Sequence, residues 1–284
     1  MGGPAAPEYT AAMIALWTHW ATLKKAWLRS LRQLPAGARP NPEIVAMVTP
    51  GSLATDANLA EAQRMLDKLR EFGGKAFPAC ATLAAGCGHS YESWFDSKSW
   101  ARMAETLARW AEHRTADDPR VAIDLEPYWD REPRYPKHCE PNGAPSRDDY
   151  RLAVAMAPFI AMIKHEGITP WLLPGGIEYL PTWHIAAACP DTVLLDEATY
   201  SCPTEPKAWV NYETRKPAIE ALRRGYLPGF YGTALRSPAF QAELQRRGIG
   251  DYWIFFHPED HEWQFWEPGW AQQTDGLPTS EPTP

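Results

Sequence analysis

The chain has 284 residues, of which 45% are apolar, so it can bury one sizeable core in a single domain. The net charge of −7 argues against nucleic acid as the main partner, because binding phosphates requires a basic surface. No apolar stretch is long enough to span a membrane and no signal peptide opens the chain, so we expect a soluble protein with no membrane partner, either cytoplasmic or released by a non-classical or lytic route.

Hydrophobic periodicity and Gly or Pro punctuation predict the elements in chain order. Apolar and aromatic residues recur at helical spacing over 8–33, which predicts an N-terminal amphipathic helix. Short apolar runs then alternate with helical patterns. The predicted strands are 43–50, 75–83, 120–126, 169–176, 192–200, 227–235 and 251–260. The predicted helices are 57–73, 97–113, 148–166, 217–225 and 238–248.

This alternation predicts an α/β fold with a parallel sheet. A closed (β/α)8 barrel of the TIM type accounts for it better than an open Rossmann sheet, because the chain has no GxGxxG after the first strand and no P-loop. One domain is predicted over 1–270, including the helix 8–33, with a disordered polar tail over 271–284. For the eighth strand, either 262–266 supplies it or the barrel is incomplete or irregular.

Residues 121–129, VAIDLEPYW, give the main indication of a function. Asp124 and Glu126 lie two apart, so on a strand their side chains share a face. Carboxylates this close disfavour each other's ionisation, so one of them is expected to keep its proton near neutral pH. Because active sites of such barrels form at the carboxyl ends of the strands, both residues are candidate catalytic groups.

Other reactive side chains are predicted at the same edge. The fifth predicted strand runs into Asp196 and Glu197, which makes them candidate catalytic partners across the barrel mouth. Aromatic rings suit stacking on sugar faces, and the chain has fourteen Trp and eleven Tyr. The candidate substrate-binding residues are Tyr128, Trp129, Tyr200, Tyr231, Trp253 and His257, of which Trp253 is the most typical of a core position. Carboxylates and rings at one mouth suit cleavage of a glycosidic bond, which needs a proton donor and a second carboxylate.

The chain resembles glycoside hydrolases built on TIM barrels. The Asp-x-Glu of IDLEP is similar to the strand-end signature of phage and bacterial muramidases and to the final half of the chitinase motif DxxDxDxE. Its Glu-Pro pair resembles the Asn-Glu-Pro of the large retaining clan. The chain departs from each pattern: Pro119 and Ala122 replace the earlier chitinase acids, and VTPGS ends the first predicted strand where muramidases have an Asp. Leu125 replaces the clan's Asn, and Glu126 follows the third predicted strand instead of the fourth.

The resemblance implies a role for each acid. Glu126 would be the general acid that protonates the leaving oxygen, and Asp124 would orient the reacting group, or an N-acetyl group acting as internal nucleophile. Otherwise Asp196 or Glu197 would be the nucleophile or base. The implied substrate is a poly- or oligosaccharide, and the muramidase and chitinase patterns favour an N-acetylated one of cell-wall type. No cofactor is implied, and the oligomeric state stays open.

Two alternatives from other classes remain. The missing partner acids favour a barrel that binds carbohydrate or protein without turning it over, as part of a larger assembly. A metal-dependent hydrolase would use His257, Glu259, Asp260 and His261 as ligands beside Asp196, although barrel metal sites usually draw histidines from several strand ends.

Overall fold

The structure is a computed structural model, and it describes nine segments of the chain. These are residues 14–19, 44–49, 56–71, 75–81, 94–125, 147–174, 180–196, 205–231 and 238–255. The predicted tail over 271–284 and the alternative eighth strand over 262–266 lie outside them.

Strands and helices alternate along the described chain. The strands are β1 (Ile14–His19), β2 (Ile44–Thr49), β3 (Lys75–Ala81), β4 (Arg120–Leu125), β5 (Thr169–Pro174), β6 (Val193–Asp196), β7 (Gly225–Tyr231) and β8 (Tyr252–Phe255). The helices are α1 (Asp56–Glu71), α2 (Ser97–Ala111), α3 (Arg147–His165), α4 (Leu180–Ala188), α5 (Glu205–Leu222) and α6 (Pro238–Arg246). Among the described residues, one helix lies between each strand and the next from β2 onward. None of the described helices is both long and apolar enough to cross a lipid bilayer.

The strands pair in parallel and in chain order, and β1 also pairs with β8, so the sheet curls round and closes. Parallel neighbours need a crossover connection, which the helices supply. In the register of β4, the Cα of Asp124 is the partner of Ala81 in β3 and of Leu173 in β5. The predicted α/β fold with an all-parallel sheet is confirmed.

The predicted helix over 8–33 is wrong at Ile14–His19, which form β1. A barrel strand is buried on both faces, so its sequence is a continuous apolar run that periodicity alone cannot distinguish from a buried helix. Ala15 is fully buried, as this explanation requires. The rest of 8–33 lies outside the described residues. With β1 counted, Asp124 lies on the fourth strand. The eighth strand of the sheet is therefore gained at the N-terminal end, at Ile14–His19, and not from 262–266.

Two helices also differ from the prediction. Helix α4 is unpredicted, because the apolar residues of LPTWHIAAA surround the helix and leave no amphipathic pattern. Helix α5 begins at Glu205, whereas the sequence places its start at Pro217, since Pro is common in the first turn of a helix. Pro217 instead lies inside α5, where its missing N–H removes one backbone hydrogen bond.

The core has two layers, one inside the barrel and one between the sheet and the helices. Successive side chains of a strand point to opposite faces, so each strand contributes to both layers. The interior cluster comprises Ala15, Val45, Met47, Phe77, Ala79, Ala122, Trp171, Leu173, Leu195, Leu227 and Trp253. The helix-facing layer takes the intervening residues, among them Ile123, Leu125 and Leu194.

Gly229 on β7 leaves the space that the indole of Trp253 occupies. A Cβ at this position would lie 2.3 Å from Cε2 of Trp253, far inside van der Waals contact. The Trp253 side chain is fully buried, so it has little room to withdraw. Glycine is therefore required here by the neighbouring ring, because any Cβ would overlap it.

Gly229→Ala is expected to lower the free energy of unfolding by about 1–3 kcal/mol, the usual cost of overpacking a core. Urea denaturation of the variant and the wild type measures this difference. In a Trp253→Phe background the smaller ring should reduce the cost of the same substitution. An equal cost in both backgrounds would show that the indole is not what the new methyl group meets.

Arg120 begins β4 and therefore lies at the end of the barrel opposite the predicted mouth. Its guanidinium lies 4.6 Å from the ring centroid of Phe77 and 5.5 Å from that of Trp171. It also donates two hydrogen bonds of 2.7 Å to the carboxylate of Asp118. Burial alone would raise the pKa of Asp118, but the hydrogen bonds and charge of Arg120 outweigh burial and hold that pKa below its ordinary value.

A carboxyl group whose pKa is lowered in the folded state stabilises the protein at pH values above its pKa in the unfolded state. This stabilisation is lost as the pH falls through the pKa of the folded state. Asp118→Asn is therefore expected to cost about 1–3 kcal/mol of unfolding free energy near neutral pH, and less below about pH 4. Denaturation curves at several pH values check this. Asp117→Asn, an exposed neighbour, is the control. If the difference in unfolding free energy between the wild type and Asp118→Asn did not change with pH, the proposed ion pair would be contradicted.

Candidate active site at the carboxyl ends of the strands

Asp124 is a buried carboxylate at the carboxyl end of β4. Only 7% of the residue is exposed, in a strand whose neighbours on both sides are fully buried or nearly so. Ala122, two residues earlier, belongs to the interior cluster, and Ile123 and Leu125 belong to the helix-facing layer. The alternation of the strand therefore directs Asp124 into the barrel at the edge where its strand ends.

Asp124 is one of the two carboxylates that are buried among the described residues, the other being Asp196. The apolar residues of the interior cluster below Asp124 include Ala79 and Ala122. Burying a carboxylate costs free energy unless it is paired or hydrogen-bonded, whereas a hydrocarbon side chain carries no such cost. Ala122 and Ala79, paired in register across β4 and β3, lie one layer below and contribute little bulk.

Asp196 is placed differently, which corrects its prediction as a catalytic residue. It is fully buried, and its strand turns Leu195 into the barrel and Leu194 toward the helices. Asp196 therefore faces the helix-facing layer. There its Oδ2 accepts a hydrogen bond of 2.8 Å from the hydroxyl of Tyr226, and its Oδ1 lies 3.4 Å from Nη1 of Arg215 on α5.

The contacts of Asp196 are those of a structural ion pair between sheet and helix. The pKa of Tyr226 is far above its ordinary value, because burial and then the adjacent Asp196 carboxylate both disfavour a phenolate. The Tyr226 hydroxyl therefore keeps its proton and donates a hydrogen bond to Asp196. These contacts hold Asp196 on the helix-facing side of the sheet, away from the barrel interior.

Trp253 is also removed from the substrate-binding candidates. Its side chain is fully buried in the interior cluster, beside Gly229, so it cannot stack on a sugar at the surface. This position agrees with the core character that the sequence indicated for it. Tyr231 is the last residue of β7, and its backbone reaches the same edge of the sheet as that of Asp124.

The other predicted site residues lie outside the described residues. They are Glu126, Glu197, Tyr128, Trp129, Tyr200 and His257. Glu126 comes two positions after Asp124, and Glu197 two positions after Leu195, whose side chain is in the barrel.

One residue at a strand end, His19, is not among the site residues predicted from the sequence. His19 is the last residue of β1, and its Cα is paired with that of Thr49, the last residue of β2. The carboxyl ends of parallel strands meet at one edge, so His19 joins the positions around the mouth. The signal for it is the polar Thr-His directly after the apolar run IALW, which the predicted helix over 8–33 obscures.

Among the described residues, no group of three or more His, Cys, Asp or Glu side chains is placed to hold a metal ion. The predicted ligands His257, Glu259, Asp260 and His261 lie outside that part of the chain. Asp196, the acid expected beside them, is bound to Arg215 and Tyr226 instead.

Comparison with models of protein families and with curated proteins finds no match to this chain. The place of Asp124 in the fold is therefore the main guide to function.

Proposed function

We propose that this chain is a complete (β/α)8 barrel of the TIM type and a glycoside hydrolase whose active site lies at the carboxyl ends of the strands. The eight parallel strands in chain order, with a helix before each strand from β3 onward, support the barrel assignment. In such barrels the strand ends at this face carry the catalytic groups.

The observation that carries the proposal is the buried, inward-directed carboxylate of Asp124, followed two positions later by Glu126. In the proposed site the strand alternation continues, and Glu126 shares the inward face. A second negative charge nearby favours the protonated form of one carboxyl group. Glu126 is then the general acid that donates its proton to the leaving glycosidic oxygen, and Asp124 orients the reacting group.

Glu197 is the proposed second carboxylate. It follows the inward Leu195 by two positions, whereas Asp196 belongs to the other face and is held by Arg215. Only β5 separates the strands that precede Glu126 and Glu197. Glu197 then acts as nucleophile if the carboxyl groups are about 5 Å apart, or as base for an attacking water if they are about 6.5–9.5 Å apart.

The corrected strand count supports a relation to the Asn-Glu-Pro clan. With β1 included, Glu126 follows the fourth strand, where that clan has its Glu-Pro pair, although Leu125 still replaces the Asn. The corrected strand count does not add support for a relation to muramidases, because β1 ends in Thr18 and His19 and has no Asp there.

The proposed substrate is a poly- or oligosaccharide, with N-acetylated cell-wall glycans as the first class to try. The rings of Tyr128, Trp129, Tyr200, Tyr231 and His257 are the proposed sugar contacts, because sugars stack on aromatic faces.

The test is hydrolysis by the purified full-length chain. Chitin oligosaccharides, peptidoglycan fragments and unacetylated oligosaccharides are incubated with it, and new reducing ends are measured. Cleavage of at least one class, unaffected by a metal chelator, is expected. Saturable binding without cleavage would favour the carbohydrate-binding barrel, and cleavage abolished by the chelator would favour the metal-dependent hydrolase.

A further inference from the structure

We propose that the amino end of the barrel carries a binding site for the phosphate group of a small molecule. The site is a cavity of about 630 Å³. It is lined by the first residues of β3, β4 and β5, by the last turn of α1 and by the connection that precedes β4. This end is opposite the proposed active site, so the inference does not depend on the proposed chemistry.

Three neighbouring strands begin with a hydrogen-bond donor on the inner face of the barrel. These residues are Lys75 of β3, Arg120 of β4 and Thr169 of β5, and all of them line the cavity. Each comes two positions before a member of the interior cluster, so strand alternation turns it inward as well. On the flanking strands the first inward residues are Val45 and Val193, so hydrocarbon bounds the donors on both sides.

Arg120 presents one side of its guanidinium to a ligand. Its Nε and Nη2 donate to the two carboxylate oxygens of Asp118, which compensates the charge of that acid. The rings of Phe77 and Trp171 hold the guanidinium in place. No described residue accepts a hydrogen bond from Nη1, so two N–H groups remain for a ligand in the cavity.

Lys75 supplies a positive charge that no described carboxylate pairs with. Its side chain is exposed at the edge of the cavity. The whole lining carries three cations, the third being Arg70, against the two carboxylates of Asp117 and Asp118. This excess of positive charge favours an anionic ligand.

The surroundings of Arg70 indicate the same sign of ligand. Its Nε and Nη2 donate to the carbonyl oxygen of Ala76 over 3.2 and 3.0 Å, and its Nη1 lies 3.3 Å from the carboxylate of Asp67. Burial nevertheless lowers the pKa of Arg70 by more than the nearby acids, Asp67 first, raise it. The acids therefore compensate the burial of this charge only in part, and an anion in the cavity would add to that compensation.

The directions of the donors suit phosphate better than carboxylate. Nη1 of Arg120, the ammonium of Lys75 and the hydroxyl of Thr169 come from three different strands. A phosphate group has tetrahedral oxygens that accept from several directions, whereas a carboxylate pairs best with a planar fork, and Asp118 already takes the Arg120 fork. The cavity is much larger than one phosphate, which leaves room for the organic part of a phosphorylated molecule.

Isothermal titration calorimetry of the full-length chain with inorganic phosphate, at constant ionic strength, tests the site. Saturable binding is expected, and Lys75→Gln should raise the dissociation constant by about 10–100-fold, because a charged hydrogen bond is lost. Thr169→Val keeps the shape of the side chain and should raise it by about 3–10-fold. Lys216→Gln, at an exposed lysine on α5, is the matched control and should leave it unchanged. Circular dichroism checks that each variant is folded.

Two further titrations test the charge and the size of the ligand. Asp117→Asn should tighten phosphate binding by about twofold to fivefold, because it removes an exposed negative charge from the rim. A hexose monophosphate should bind more tightly than inorganic phosphate, and weaker binding would overturn the phosphorylated molecule as the ligand. The absence of saturable phosphate binding, a Lys75→Gln that binds as well as wild type, or an Asp117→Asn that binds more weakly would overturn the site itself.

Discussion

Glu126→Gln is expected to reduce kcat/KM for glycoside cleavage by about 10²–10⁴-fold, the usual contribution of a general acid. Gln has nearly the same shape but no proton to give to the leaving oxygen. The substitution is expected to leave the free energy of unfolding nearly unchanged. The rate is measured on whichever glycan the wild type cleaves, beside Glu220→Gln, an exposed Glu on α5, as the matched control.

The pH dependence of the rate distinguishes loss of an acid from a general disturbance of the site. The wild-type rate should fall at high pH as the general acid loses its proton, and this fall should disappear in Glu126→Gln. A variant that retains wild-type activity would remove Glu126 from the mechanism. A variant that is slower but keeps the high-pH fall would assign the acid to another residue.

Asp196→Asn is expected to lower the free energy of unfolding by about 3–5 kcal/mol. The substitution removes the charge that faces Arg215 in a fully buried position, and it leaves the Tyr226 hydroxyl with a poorer acceptor. Breaking one side of a buried ion pair is costly, because the remaining charge loses its partner in a medium of low dielectric. Urea denaturation measures the loss, with the exposed Asp191→Asn as control.

A companion variant separates the hydrogen bond from the charge. Tyr226→Phe removes one hydrogen bond and should cost only about 1–2 kcal/mol, because Asp196 keeps Arg215. In this account the folded fraction of Asp196→Asn retains its activity. An Asp196→Asn protein that is as stable as wild type but inactive would return Asp196 to the catalytic residues.

The parallel sheet could be predicted largely from local patterns. The run VAIDL is short, apolar and bounded by polar residues, and it forms β4 at Arg120–Leu125, against a prediction of 120–126. The run TVLLD likewise forms β6 at Val193–Asp196. These runs are too short for buried helices, so their length decides between strand and helix.

Local patterns fail where burial is uniform. The sequence of strand β1 begins with a continuous apolar run, and the apolar residues of helix α4 are spread around the helix, so neither shows the period that would identify it. Pro217 is misleading for a different reason: its effect on a helix depends on whether the helix has already started, which a single residue does not reveal.

The two acids of the predicted site show what a sequence can and cannot indicate. The inward face of Asp124 follows from its spacing to Ala122, which is local information. The orientation of Asp196 depends on which neighbour, Leu194 or Leu195, enters the barrel, and both are equally apolar. Its partners Arg215 and Tyr226 come from later elements, so only the packed fold identifies the acid as structural.

The most direct test of the proposed site is a crystal structure that gives the distance between the carboxyl groups of Glu126 and Glu197. We predict that both face the barrel mouth beside Asp124, with their carboxyl carbons about 5–9.5 Å apart, the range that glycosidic cleavage requires. A clearly larger separation, or a Glu126 turned into the helix-facing layer as Asp196 is, would contradict the proposed mechanism.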